Sequence, residues 1–258
     1  MARAKKPKRK DESPAPAAVP APPRWPYVER TRHLGVNLLF LAPFLLVYLL
    51  CWWLVGDAVE TSAAESLRRG LRLLGTRGLF VLTVCGSLGV CAFLIVRLRA
   101  AREDAVVFPG MILEGLFYGY VIGFVAEVMT RGLPVGRWVG LSRPAFVGGG
   151  LENLGMAVGA GIFEELVFRG ILCFGLYRAL KHVVGTDRFT AGVVSVLVSA
   201  AVFSAYHHWG VSGEPWDAAR FTFRFHAGVV LGAIFLTRGL GIAAFAHGFY
   251  DALILLSA

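Results

Sequence analysis

The chain has 258 residues, 56% of them hydrophobic, a net charge of +9 and a mean hydropathy of +0.63. A soluble domain is usually about 45–50% apolar. Here the excess gathers in long runs, which excludes a large soluble core and specifies an all-α, polytopic membrane protein.

Residues 1–32 form a basic, Pro/Ala-rich tail that holds nine of the 26 Lys and Arg. Such a segment reads as disordered, cytoplasmic and drawn to anionic lipid headgroups. No folded basic surface follows it, so nucleic acid is not an expected partner. The tail is too long for the n-region of a signal peptide, and no small-residue cleavage site follows the first apolar run. Asp11 and Glu12 speak against a transit peptide.

The helical transmembrane domain is expected over 33–258. Its first span is about 34–56, with Pro43 inside and Trp52 and Trp53 near one interface. Residues 57–77 alternate Arg68, Arg69 and Arg72 with leucines, as an interfacial helix does. A second span follows at about 78–96 and a third at about 106–130. The third carries Gly115, Gly119 and Gly123, spaced for close approach of another helix. Glu114 and Glu127 bracket that glycine face. Either could line a cavity, or Glu127 could sit at the interface beside Arg131.

A loop over 131–150 ends in three glycines. The stretch of about 151–182 is longer than one span needs, and a break is expected at Gly159 and Gly161. Further spans are about 190–209, 221–238 and 240–257. Arg224 and His226, at the start of a span, are expected to snorkel to headgroups. The total is seven transmembrane helices, or eight if the 151–182 stretch divides. An inside N-terminus places sixteen Lys and Arg inside against nine outside, a bias supplied by the tail. The cysteines Cys51, Cys85, Cys91 and Cys173 lack metal-type spacing and read as small apolar residues.

Ionisable residues inside apolar spans are costly and mark functional sites by default. Six stand in three C-terminal segments: Glu164, Glu165 and Arg169, then His207, then His247 and Asp251. Neighbours on a helix point about 100° apart, so Glu164 and Glu165 cannot share one environment. Glu165 and Arg169 form an i, i+4 pair in the favoured order, which leaves Glu164 to face a cavity as a general base. Phe203 shares a helix face with His207 and would help to exclude water there. Asp251, four residues after His247, could hold one of its ring nitrogens. The alternative for each group is a satisfied structural pair. All three together are harder to explain as packing.

The string Glu164-Glu165-Leu-Val-Phe-Arg169 resembles the EExxxR motif of the CPBP family, the CAAX proteases and bacteriocin-processing (Abi) enzymes. Phe203-Ser-Ala-Tyr-His207 is similar to that family's FxxxH, and His247-Gly-Phe-Tyr-Asp251 to its Hxxx(N/D). The resemblance covers about 150–257. It implies a glutamic-type intramembrane endopeptidase with a polar site buried between the C-terminal helices. Glu164 would activate water, His207 would orient it, and His247 with Asp251 would stabilise the oxyanion. Glu165 and Arg169 would brace the site. Related eukaryotic enzymes carry Asn at the position of Asp251. An ionised Asp cannot donate a hydrogen bond, so Asp251 is either protonated or serves to orient His247; the second is favoured.

The resemblance implies no cofactor and, as partners, a membrane-anchored protein or peptide substrate in a lipid bilayer. A Zn²⁺ metalloprotease is the competing reading, because Glu164, His207, His247 and Asp251 are all acceptable ligands. It is disfavoured, because no HExxH is present and the metal would take the candidate base as a ligand. A catalytically silent scaffold or chaperone, a bacteriocin-immunity protein and a proton-relaying transporter are further alternatives. Composition and short loops suggest a bacterial inner-membrane protein.

Overall fold

The computed structural model describes residues 27–56, 69–70, 73, 75, 105–131, 149–209 and 213–256, and every regular element among them is helical. The expected tail, the second span, most of the 57–77 connection and the loop after residue 131 lie outside these residues. The short helix α1 (Tyr27–Arg32) leads into α2 (Leu34–Val55), and α3 spans Phe108–Arg131. A continuous helical run over 150–184, here α4, is followed by α5 (Arg188–Tyr206), α6 (Ala218–Arg238) and α7 (Leu240–Leu256). Four of these, α2, α3, α5 and α6, are long and apolar enough to cross a membrane.

The break expected at Gly159 and Gly161 is absent, and α4 widens instead. After α-helical Gly150–Gly159 it becomes π-helical over Ala160–Glu164 and Leu166–Cys173, then again over Leu180–Val184. Such widenings are rare and often mark functional sites. One carbonyl in this region, that of Phe168, accepts a hydrogen bond from Ser199 Oγ at 2.6 Å, which ties α4 to α5.

Gly161 serves close approach rather than a break. A Cβ there would stand 2.5 Å from the Ala244 carbonyl oxygen and 2.9 Å from the Gly248 Cα. The backbones of α4 and α7 therefore meet with no side chain between them, one turn before Glu164 and Glu165. On the other side of α7, the glycine face of α3 receives Phe245, Phe249 and Tyr250, and a Cβ on Gly119 would lie 2.7 Å from the Ala246 carbonyl oxygen. This small-residue packing, with Phe40, Met111, Ile122, Leu231 and Ile242 buried around it, makes α7 the central helix.

The end of the bundle remote from the site is held by polar contacts. Asn37 Nδ2 donates to the carbonyls of Thr31 and His33, and its Oδ1 accepts from Gly241 N at 2.6 Å. The α6–α7 turn is a single residue, Gly239, with φ +100°, a conformation that favours glycine. Arg238 donates to Glu114 through Nε at 2.7 Å and Nη2 at 2.6 Å, a bidentate pair that engages Glu114 away from any cavity around the motifs. Glu127 is buried, contrary to the interfacial position considered for it. At the head of α5, Asp187 accepts from the N–H groups of Phe189 and Thr190, and hydrogen bonds from Thr190 hold its carboxyl below the usual range.

Candidate active site

Three helices supply one buried polar centre. α4 carries Glu164, Glu165 and Arg169, α5 carries Phe203 with His207 as its C-cap, and α7 carries His247 and Asp251. Glu165 and Arg169 are fully buried and paired, Oε1 to Nη1, at 3.0 Å. Arg169 Nη2 also donates to the Gly228 carbonyl at 3.3 Å, and the guanidinium lies over the Phe203 ring, 4.5 Å from its centroid. Arg169 thus pins α4 to both α5 and α6.

Glu165 does more than pair with Arg169. The same Oε1 stands 2.8 Å from His247 Nδ1. The expectation that Asp251 holds a ring nitrogen of His247 is therefore changed: Glu165 takes Nδ1, and Asp251 Oδ2 lies 3.5 Å from Nε2. The orienting partner of His247 comes from the first motif, not from its own helix.

His207 follows directly after α5 and its ring is fixed from behind. Its Nδ1 lies 2.9 Å from the Phe203 carbonyl. A carbonyl only accepts, so Nδ1 carries the hydrogen, and in the neutral ring Nε2 is the acceptor. Phe203 packs edge-on against both imidazoles, 4.8 Å from His207 and 5.9 Å from His247 between centroids.

Glu164 Oε2 lies 3.8 Å from His207 Nε2 and 3.9 Å from His247 Nε2. Both gaps are too long for direct hydrogen bonds and suit one bridging oxygen at about 2.8 Å from each atom. All six charged or imidazole residues singled out in the sequence, with Phe203, are brought together. Asn153 Nδ2 donates to the Leu255 carbonyl at 3.0 Å and ties α4 to the end of α7.

Arg224 and Glu214 were missed. Arg224 does not extend to headgroups; its Nη2 donates to Glu214 Oε1 at 2.7 Å, and Arg220 Nη1 donates to Oε2 at 2.9 Å. Glu214 N in turn donates to the His207 carbonyl at 2.8 Å. Burial opposes the charged form of Glu214, but hydrogen bonds and charge from Arg224 and Arg220 outweigh it and hold the carboxyl below the usual range. His226 Nδ1 likewise turns inward, 3.0 Å from Thr130 Oγ1. A signal was present in the sequence. Arg224 lies four residues before Gly228 and eight before Gly232, on the small-residue stripe of α6 that packs against α5.

A separate cavity of about 550 Å³, lined by Arg32, Phe174, Arg188 and Leu236 among others, lies at the opposite ends of α5 and α6 from His207 and Arg224. It contributes nothing to this centre.

A buried carboxylate–imidazole centre among membrane-length helices defines a membrane-embedded protein with hydrolase-type chemistry available to it. Residues 150–253 match a family model described as type II CAAX prenyl endopeptidase Rce1-like. Residues 150–253 are thus similar to the CPBP/CAAX protease family, and the match spans all three motifs. No curated protein and no solved structure gives a significant match to the chain.

Proposed function

We propose that the chain is a glutamic-type intramembrane endopeptidase that cuts a membrane-anchored protein in or beside its apolar segment. The family match supports a protease acting on membrane-associated substrates. The observation that carries the glutamic reading is the near-equal spacing of Glu164 Oε2 from the two imidazole Nε2 atoms, 3.8 and 3.9 Å.

A water between Glu164 and His207 donates one hydrogen bond to each. Glu164 takes one proton as the water oxygen forms a bond to the scissile carbonyl carbon. The carbonyl π pair moves onto oxygen, and His247 Nε2–H donates to that oxyanion. His247 keeps its Nδ1–H on Glu165, so both of its donors are aimed before the reaction begins. When the intermediate collapses, the C–N pair leaves with nitrogen, and the proton held by Glu164 passes to the departing amine. Removal of a single oxyanion donor typically costs about 10²–10³ in kcat. Asp251 supplies a counter-charge at the Nε2 side of His247.

This reading uses no metal. The cellular test is to map the termini of membrane and surface proteins in cells carrying wild type or Glu164→Ala. Processed termini that vanish with the variant are expected. Identical termini in both would remove the protease reading in favour of a silent scaffold.

A further inference from the structure

Arg224 has no part in the mechanism above, yet it is built into the wall of the same site. Its side chain is 19% exposed, and it shares Glu214 with Arg220. One carboxylate set against two guanidiniums leaves the cluster one positive charge in excess. Within Arg224 the imbalance is local: Nη2 is bonded to Glu214, whereas Nη1 is buried with no partner. The guanidinium lies within electrostatic reach of both His207 and Asp251. Even so, no ion pair within 4 Å joins it to Asp251 among the described residues, and the near neighbour of Asp251 is His247.

Buried cations are paired or are held for something that pairs with them. A guanidinium offers a planar fork of N–H donors that matches a carboxylate. Glu214 fixes one arm of that fork, and the hydrogen bond from Glu214 N to the His207 carbonyl fixes Arg224 relative to the catalytic imidazole.

We propose that Arg224 is a specificity-determining residue that binds a carboxylate of the substrate close to the scissile bond. The inference rests on the protease reading above. The carboxylate is either the free C-terminus of a short departing peptide or an Asp or Glu side chain within a few residues of the cut. In both cases the substrate anion completes the pairing of Nη1, so an uncharged analogue leaves that N–H buried and unpaired. Discrimination against such analogues is strong where a site is built to pair the group.

The test uses full-length protein in proteoliposomes and a fluorescence-quenched peptide pool with an apolar anchor and randomised residues around the cut. One arm compares pools ending in a free carboxylate or a carboxamide. The other keeps the carboxamide and compares Glu with Gln at fixed positions beside the randomised stretch. In wild type, at least one charged member is cleaved with a kcat/KM about tenfold or more above its neutral partner, and the arm that shows it names the source of the anion. In Arg224→Gln that ratio falls to near one, and in Arg224→Lys it is intermediate. In Arg220→Gln it persists, since Arg220 does not carry the unpaired nitrogen. Each ratio is taken within one variant, so reduced activity does not obscure it. Cleavage by wild type without preference in either arm, or a preference that survives Arg224→Gln, overturns the inference while the protease reading stands. Failure of wild type to cleave any pool removes both.

Discussion

Glu165 on α4 and His247 on α7 are joined by a 2.8 Å contact between Oε1 and Nδ1, although 82 residues separate them in sequence. The same oxygen faces Arg169 at 3.0 Å, so one buried carboxylate serves a guanidinium and an imidazole together. A residue that the motif alone presents as a brace is therefore the orienting group of the proposed oxyanion donor.

Substitution of Glu165 should cost more than that of Asp251. Glu165→Gln leaves Arg169 buried without its counter-charge, a change that typically costs about 3–5 kcal/mol. It also leaves His247 free to turn. We expect a fall in thermal stability in detergent and a loss of about 10² or more in kcat, the scale of one oxyanion donor. Asp251→Asn, which keeps a polar group 3.5 Å from Nε2 and adds a donor, should change kcat by less than about tenfold on the same scale. A reversed order of severity would return the orienting role to Asp251.

The Phe203 carbonyl dictates the tautomer of His207. Histidine-selective ¹⁵N NMR on the protein in micelles should find neutral His207 protonated at Nδ1, with Nε2 free to accept. His207→Gln should lower kcat by roughly 10²–10⁴, the usual range for a group that orients or exchanges a reacting proton, with little change in KM. An Nε2–H tautomer in the resting protein would contradict the proposed water geometry.

Contact between α4 and α7 requires glycine at 161. Gly161→Val places atoms against the Ala244 carbonyl, 2.5 Å from where even a Cβ would sit. Overpacking of this kind costs about 1–3 kcal/mol or more. Displacement by an ångström also separates Glu164 from His247, so activity should fall further than stability. Gly175→Ala is the control: nothing lies within 4 Å of its Cβ position, and the change should stabilise the exposed helix by up to about 1 kcal/mol. Equal tolerance of both substitutions in thermal unfolding would dismiss the close-approach argument.

The motifs were legible because their chemistry is written in spacing. An acid four residues before an arginine, and paired histidines inside apolar runs, are costly enough to stand out in one sequence. The glycine face of α3 was legible in the same way, through its four-residue repeat. What was not legible depends on contacts between distant segments. Gly161 looks the same in sequence whether it breaks a helix or admits a neighbour, and only the position of Ala244 decides. Glu165 reads as the partner of the nearest cation, because its second partner lies on another helix. Arg224 reads as an interfacial cation, because Glu214 lies in the preceding loop and gives no periodic signal.

The Glu214 cluster should make stability depend on pH in one direction. Arg224 and Arg220 hold its carboxyl below the ordinary range despite burial, so the folded protein binds that proton less readily than the unfolded chain. The resulting stabilisation is complete above the unfolded value of about 4.3 and is lost as pH falls through the lower folded value. Glu214→Gln should therefore unfold at a lower temperature than wild type at neutral pH, and the two should converge in acid. A difference that grows on acidification would show the carboxyl to be raised rather than lowered.

Glu164 is the residue on which the proposed chemistry turns, and its isosteric amide is the sharpest probe. Purified wild type and Glu164→Gln should be compared in proteoliposomes for cleavage of an anchored peptide, with and without a strong chelator. We expect wild type to cleave equally well in chelator. Glu164→Gln should fold to the same thermal stability or better, because the substitution removes a buried charge, yet lose at least about 10²-fold in kcat, as loss of a general base requires. Undiminished cleavage by Glu164→Gln, or wild-type cleavage abolished by chelator and restored by Zn²⁺, would contradict a glutamate-activated water.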